Sequence, residues 1–344
     1  MINIMTMTTL TPIILSFSII VFIIFFSIIA NNIGLIDQPT KRKIHIGNIP
    51  LIGGLSIYSS LLFFFLIVET NFHHKIIFLT SLIVFFVGLY DDKFDLGIIT
   101  RFFFQIIACL IIVGFGIRIF DLGDYLGTTI FLGGFGILLS FITMIGYINA
   151  INFSDGLDGL ASGYILNCLI SIIFFSIMNN SFQNLQPLFF LIFILIIFLF
   201  SNFGVFLPKS FLGDSGSTSL GFLISSYLIY FTMPENRHFH PVLALWAAPF
   251  PTFDFITVFI KRILLKINPF QPDRRHLHYL LINSQISNNL ISLILVSGSI
   301  ICSILGFITF YFLGPIHSII FFFFCLFIYF LISVYINDNL KKIN

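Results

Sequence analysis

The chain has 344 residues; 58% are hydrophobic, 49 are Phe, only 9% are charged, and the mean hydropathy is +1.09. A soluble fold of this length has too little core to hide so much apolar surface, so the composition excludes one and points to lipid as the solvent. A net charge of +2, with no basic patch interleaved with aromatics, excludes nucleic acid as a partner.

Roughly 20 apolar residues cross the ~30 Å hydrocarbon core. The first such run covers 10–31 and is expected to be a span, not a cleaved signal peptide, because it is too long and lacks a basic flank and a small-residue cleavage site. The segment that follows reads DQPTKRKIHIGNIPLIGG. Its Lys41, Arg42 and Lys43 set topology or attract anionic lipid, and His45 precedes a Pro/Gly stretch that shapes entry into the second run, 50–68. The third run, 75–90, ends in DDKFD, Asp91 to Asp95. An isolated acid pair is ordinarily a solvated loop end. Here the acids directly follow a span, where carboxylates are costly and usually functional. Paired hard oxygens suit Mg²⁺, and Mg²⁺ suits phosphate. The spacing also fits the DDxxD of prenyl-diphosphate enzymes, so alone it selects no reaction.

The fourth run, 98–118, opens beside Arg101, and the fifth, 128–149, leads into NAINFSDGLDGLASG at 149–163. There Asn152, Asp155 and Asp158, three apart, cover about 120° of a helix, one polar face. Gly156 and Gly159 admit close approach. The plainer reading is a helix start capped by Ser154 or Asp155; the recurring acid at membrane depth favours a site. After runs at 157–178 and 186–206 comes PKSFLGDSGSTSLGF, 208–222. GDSG occurs in the nucleophile loop of serine proteases, but a helical bundle supplies no matching His and Asp geometry. Asp214 instead stands at the mouth of the eighth run, 214–232, with Gly213, Ser215, Gly216 and Ser217 offering donors at a helix N-terminus, a natural anion or metal–phosphate site.

The ninth run, 241–264, encloses Asp254 and is followed by NPFQPDRRHLHYLL at 268–281. Arg274 and Arg275 can fork onto phosphate oxygens; His276 and His278 can donate hydrogen bonds or exchange protons. Their spacing of two, without cysteine, argues against zinc. Runs at 289–313 and 315–336 complete about eleven spans. The four cysteines fall inside apolar stretches and read as small hydrophobes.

Thirteen Lys and Arg fall on one set of loops and span ends and three (Lys75, Arg118, Arg237) on the other. The positive-inside rule then puts the N-terminus in the periplasm and the C-terminus in the cytoplasm. Asp37, Asp91, Asp92, Asp95, Asp155, Asp158, Asp214 and Asp273 all fall on the cytoplasmic side. Because the rule ignores acids, this clustering independently marks an active face. The expected architecture is an all-α polytopic integral membrane protein. It is one multi-spanning domain, 1–344, with catalytic cytoplasmic loops at about 32–49, 91–98, 149–157, 206–215 and 262–288. Acids, an amide, glycine-rich donors and a basic His loop together describe a site for a metal-bound diphosphate, and phosphoryl transfer to a lipid acceptor is the natural reaction.

Five motifs, in order, carry a resemblance: DQPTKRKIHIGNIPLIGG, GLYDDKFDL, NAINFSDGLDGLASG, FLGDSGSTSLGF and PDRRHLHYL. Over about residues 30–285 the chain resembles the bacterial polyprenyl-phosphate N-acetylhexosamine-1-phosphate transferases, glycosyltransferase family 4. PDRRHLHYL with RKIHIG looks most like the branch that uses UDP-N-acetylglucosamine; the run of three histidines usual in the muramoyl-pentapeptide branch is absent. The resemblance implies transfer of N-acetylglucosamine 1-phosphate to undecaprenyl phosphate with release of UMP, at the cytoplasmic face of the bacterial inner membrane. The product would start a cell-envelope polysaccharide such as the O antigen of lipopolysaccharide. It also implies roles. Asp91 and Asp92 would engage or deprotonate the lipid phosphate, and Asn152 and Asp214 would hold Mg²⁺, or Mn²⁺ in its place. Asp155 and Asp158 would lie by the donor, and His45, Arg101, Arg274, Arg275, His276 and His278 by its diphosphate or sugar. The family's histidine motif often ends in a further His, where this chain has Tyr279. Expected partners are the UDP-sugar, the polyprenyl phosphate, the bilayer and a second copy in a homodimer. The competing readings are the same reaction with another UDP-sugar or the muramoyl-pentapeptide donor, an intramembrane prenyltransferase, and an ion-coupled transporter. A prenyltransferase wants a second aspartate-rich motif, and a transporter wants midplane charges and inverted repeats.

Overall fold

The computed structural model describes residues 14–38, 47–267, 275–282 and 286–343. His45 and Arg274 lie outside them. The protein is mostly helical, and its chain divides into two compact units: residues up to Gly116 with Phe182–Ser226, and Ile117–Ser181 with the residues from Tyr227 onward. Among the described residues, five helices are long and apolar enough to cross a membrane, and a bent pair makes a sixth. Three shorter apolar helices, Gly53–Ile67, Ile98–Gly114 and Gln186–Asn202, accompany them. The described residues also contain two small antiparallel sheets, which an all-α expectation omits.

In the first unit, helix α1 (Ser18–Ile33) stops at Gly34, whose left-handed φ of 76° lets its N–H return to Ala30 and Asn31. Strand β1 (Ile36–Asp37) then pairs with β2 (Ile49–Pro50). Helix α2 (Gly53–Ile67) begins on two glycines whose N–H groups donate to the carbonyls of Phe211 and Leu212, both at 2.9 Å. A Cβ at Gly53 would meet Phe211 O at 2.7 Å, and one at Gly54 would meet Gly216 N at 2.3 Å. The GG of LIGGL thus lets α2 lie against the segment that introduces GDSG. Helix α3 (Phe72–Phe94) is capped by Asn71, which accepts from His74 N–H, and α4 (Ile98–Gly114) follows. Helices α7 (Gln186–Asn202) and α8 (Gly213–Tyr230) complete the unit, α8 running on into the second. At Gly88 of α3 a Cβ would lie 2.6 Å from Asp214 O and 2.7 Å from Ser215 Cα, so the α3 backbone touches the first turn of α8. Such small-residue crossings hold helices together where lipid removes the hydrophobic drive.

In the second unit, strands β3 (Asp121–Tyr125) and β4 (Thr128–Phe131) form a hairpin through Leu126 and Gly127, both at positive φ. The apolar run at 128–149 therefore opens as strand; only from Phe135, after two glycines, does it become helix α5 (Phe135–Ser154). Helix α6 (Leu160–Met178) follows. The run at 241–264 is two helices, α9 (Pro241–Ala247) and α10 (Pro249–Leu264), bent by 83°. Ala248 leaves helical dihedrals and Pro249 has no N–H to continue the ladder. After the short α11 (Leu277–Ile282), α12 (Asn288–Ile343) is broken at Gly314 (φ 84°) beside Pro315, into arms matching the last two apolar runs. Trp246 is fully buried against α12: its Nε1–H donates to Ser318 Oγ at 2.9 Å, and a Cβ at Gly306 would overlap its ring.

Candidate active site

In the first unit DDKFD is the end of a helix. Helix α3 runs through Asp91 and Asp92 to Phe94, and Asp95 stops it in the left-handed region (φ 52°) with its N–H on Asp91 O at 2.9 Å. Asp95 is exposed and serves as the helix stop. Neighbouring residues on a helix diverge by about 100°, so Asp91 and Asp92 reach different partners. Asp91 is buried, accepting from Leu96 N–H at 2.5 Å and from Arg101 Nη1 at 2.8 Å. Asp92 turns to α8, where its two carboxylate oxygens accept from the N–H groups of Asp214 at 2.6 Å and Ser215 at 3.0 Å.

This geometry revises the reading of GDSG. The backbone N–H groups of Asp214 and Ser215, at the helix N-terminus read as an anion site, are taken by Asp92, an anion at the positive end of the helix dipole. Gly213 is required for it. Its φ is +75°, and a Cβ there would lie 2.7 Å from Asp92 Oδ2. Asp214 itself stays accessible, its side chain 36% exposed against 2% for Asp91, with Arg101 Nη1 at 3.6 Å. Asp91 and Asp92 each feel the charge of Asp214. Three carboxylates beside the Arg101 guanidinium offer hard oxygens, the donor type that suits a divalent cation. Beside them, Val84, Val87, Gly88, Phe104, Gln105 and Thr218 line a small cleft that includes Asp91 and Arg101.

In the second unit, Asn152 is on the last turn of α5, Asp155 is its C-cap, and Asp158 lies in the turn before α6. The continuous helix expected to present all three on one face ends at Ser154, and Gly159 in a left-handed conformation (φ 77°) restarts the chain as α6. This turn meets the histidine loop. A Cβ on Gly156 would lie 2.9 Å from His278 Nε2 and 3.1 Å from Tyr279 Oη, and the Phe153 ring is 5.0 Å from that of His276. His276 and His278 are buried with stacked rings 5.9 Å apart, and Arg275 is half-buried. Burial pushes the His278 imidazole down to about 4, because no full counter-charge offsets desolvation, and its Nε2 has no hydrogen-bond partner.

One acid in this cluster belongs to none of the five motifs. Asp254, buried on α10, accepts from His276 Nδ1 at 2.7 Å, Leu277 N–H at 3.0 Å and Tyr329 Oη at 3.1 Å. Its only sequence signal is an acid within an apolar run.

Residues 74–232 match glycosyl transferase family 4. The chain is 32% identical over 291 residues to an undecaprenyl-phosphate alpha-N-acetylglucosaminyl 1-phosphate transferase of Escherichia coli, covering 82% of this chain and 79% of that one. The like-named protein of Yersinia pestis is 32% identical over 313 residues, 88% and 84% of the two chains. That of Haemophilus influenzae is 31% identical over 288 residues, 81% and 80%.

Proposed function

The chain belongs to glycosyl transferase family 4, and from that premise we infer that it transfers N-acetylglucosamine 1-phosphate from UDP-N-acetylglucosamine to undecaprenyl phosphate. A phosphate oxygen of the lipid attacks the sugar-bearing phosphorus of the donor. The phosphoanhydride bond breaks, UMP leaves, and a lipid-linked diphosphate sugar remains. Both reactants are anions, so catalysis is mostly positioning and charge neutralisation. One observation supports this most directly: Asp91, Asp92 and Asp214, from two distant motifs, gather with Arg101 in one cluster.

Within that cluster we assign Asp91 and Arg101 to the lipid phosphate and Asp92 to holding the first turn of α8. The residues fit a divalent cation: hard oxygens and the accessible carboxylate of Asp214. Mg²⁺ would be held by Asp214 and, following the resemblance, Asn152, and it would neutralise the donor diphosphate. Among the described residues no three His, Cys, Asp or Glu side chains form a metal cage. Mg²⁺ commonly keeps waters and substrate phosphates among its ligands. Asp155, Asp158, Arg275, His276 and His278 are assigned to the donor, together with His45 and Arg274.

The apolar runs are the basis for about eleven crossings of the inner membrane, and the excess of Lys and Arg on one set of loops supports the N-terminus outside and the chemistry at the cytoplasmic face. The test is direct. Purified protein with undecaprenyl phosphate, Mg²⁺ and a panel of UDP-sugars is expected to release UMP and form lipid-linked product with UDP-N-acetylglucosamine. Product with a different sugar alone moves the donor assignment to that sugar. No UMP with any sugar overturns the reading.

A further inference from the structure

We propose that Asp254 is the positioning residue for His276, setting its tautomer and orientation for the transfer reaction, with Tyr329 holding Asp254 in turn. The proposal rests on the transferase reading.

The carboxylate of Asp254 is buried on α10, within apolar surroundings where a lone acid is costly. It accepts three donors from two directions: His276 Nδ1 at 2.7 Å and Leu277 N–H at 3.0 Å from the histidine loop, and Tyr329 Oη at 3.1 Å from the second arm of α12. An ionised carboxylate only accepts, so the imidazole must carry its proton on Nδ1. Nε2 is then the nitrogen left for substrate, as acceptor when the ring is neutral and as donor when it is charged. The Leu277 bond fixes the backbone next to the histidine, so ring and backbone are clamped by one side chain. A carboxylate on the rear nitrogen of a working imidazole fixes its tautomer and ring plane.

Asp254→Asn is nearly isosteric yet inverts this arrangement. With its carbonyl still facing Leu277 N–H, its NH₂ faces His276 and needs a lone pair on Nδ1, which moves the ring proton to Nε2. Asp254→Asn is expected to lower kcat/KM by ~10- to 100-fold. In ¹⁵N-histidine-labelled protein the His276 resonances should switch from the Nδ1–H to the Nε2–H tautomer. Placed in His276→Gln, the same substitution should cost little more, because its target is gone. Equal losses in both backgrounds, or full activity with an unchanged tautomer, overturn the proposal. Should Asp254→Asn fail to accumulate in membranes, Tyr329→Phe carries the same test. It removes one donor and keeps the ring; a loss of a few-fold confined to the His276 background supports the proposal, and an equal loss in both overturns it. Wild-type protein inactive with every UDP-sugar sinks the transferase reading instead, so the two failures are distinguishable.

Discussion

Asp91 and Asp92 are adjacent, yet their partners separate their roles: Asp91 faces Arg101, and Asp92 caps α8. Truncating Asp92 to Ala leaves two helix-terminal N–H groups without their acceptor, at a cost of about 1–2 kcal/mol. A lower thermal midpoint in detergent would register it. Asp214→Asn keeps the side chain's shape and removes the charge proposed to hold Mg²⁺. It is expected to abolish UMP release while the protein still elutes as a folded species; normal turnover would remove Asp214 from the metal site. His278 makes a pH prediction. Its folded imidazole titrates near 4 against an ordinary 6.5, so the fold favours the neutral form. As pH falls below about 6.5 the unfolded chain takes up a proton that the folded one refuses. Stability is therefore lost on acidification between about 6.5 and about 4, by up to ~3 kcal/mol. Thermal midpoints across that window should fall less steeply for His278→Gln than for the natural protein.

At the scale of elements, contact at glycine sets how the helices carry these side chains. Gly88 lets α3 touch the backbone of Asp214 and Ser215, and Gly213 makes room for the Asp92 carboxylate. Gly88→Ala must push α8 off α3, since the obstacle is backbone, at about 1–3 kcal/mol for overpacking. It should lower both the thermal midpoint and activity. Gly97→Ala, with no atom within 4 Å of the added methyl and no positive φ, should leave both nearly unchanged. Similar losses from the two would mean that the close approach at Gly88 is not what matters. In the second unit the bend at Ala248–Pro249 directs α10, and the break at Gly314 folds α12 back, so that Asp254 and Tyr329 meet.

For the whole molecule, the proposed orientation makes a topological prediction. In intact cells carrying a chain without its native cysteines, Lys266→Cys should resist a membrane-impermeant maleimide added outside, and Glu235→Cys should react. The reverse pattern would invert the assignment of the chemistry to the cytosol, though not the chemistry itself. Composition alone makes lipid the solvent, and the Lys and Arg asymmetry alone supplies a direction, because both are sums over the chain that no tertiary contact alters.

The motifs, the helical content of the apolar runs and the break at Gly314–Pro315 were legible in the sequence, since each follows from local composition, periodicity or backbone chemistry. The strand at 128–131 and the bend at Ala248 were hidden inside runs whose hydropathy says nothing of dihedral angles, and the end of α5 at Ser154 falls between two runs, in a motif whose three-residue spacing does not reveal where the helix stops. What only the tertiary structure decided is which polar group serves which. Asp92 meets Asp214 from 122 positions away, and Tyr329 meets Asp254 from 75. Spacing constrains neighbours within a few turns. A buried carboxylate must instead find its donors wherever the packed helices bring them, because lipid and core supply none.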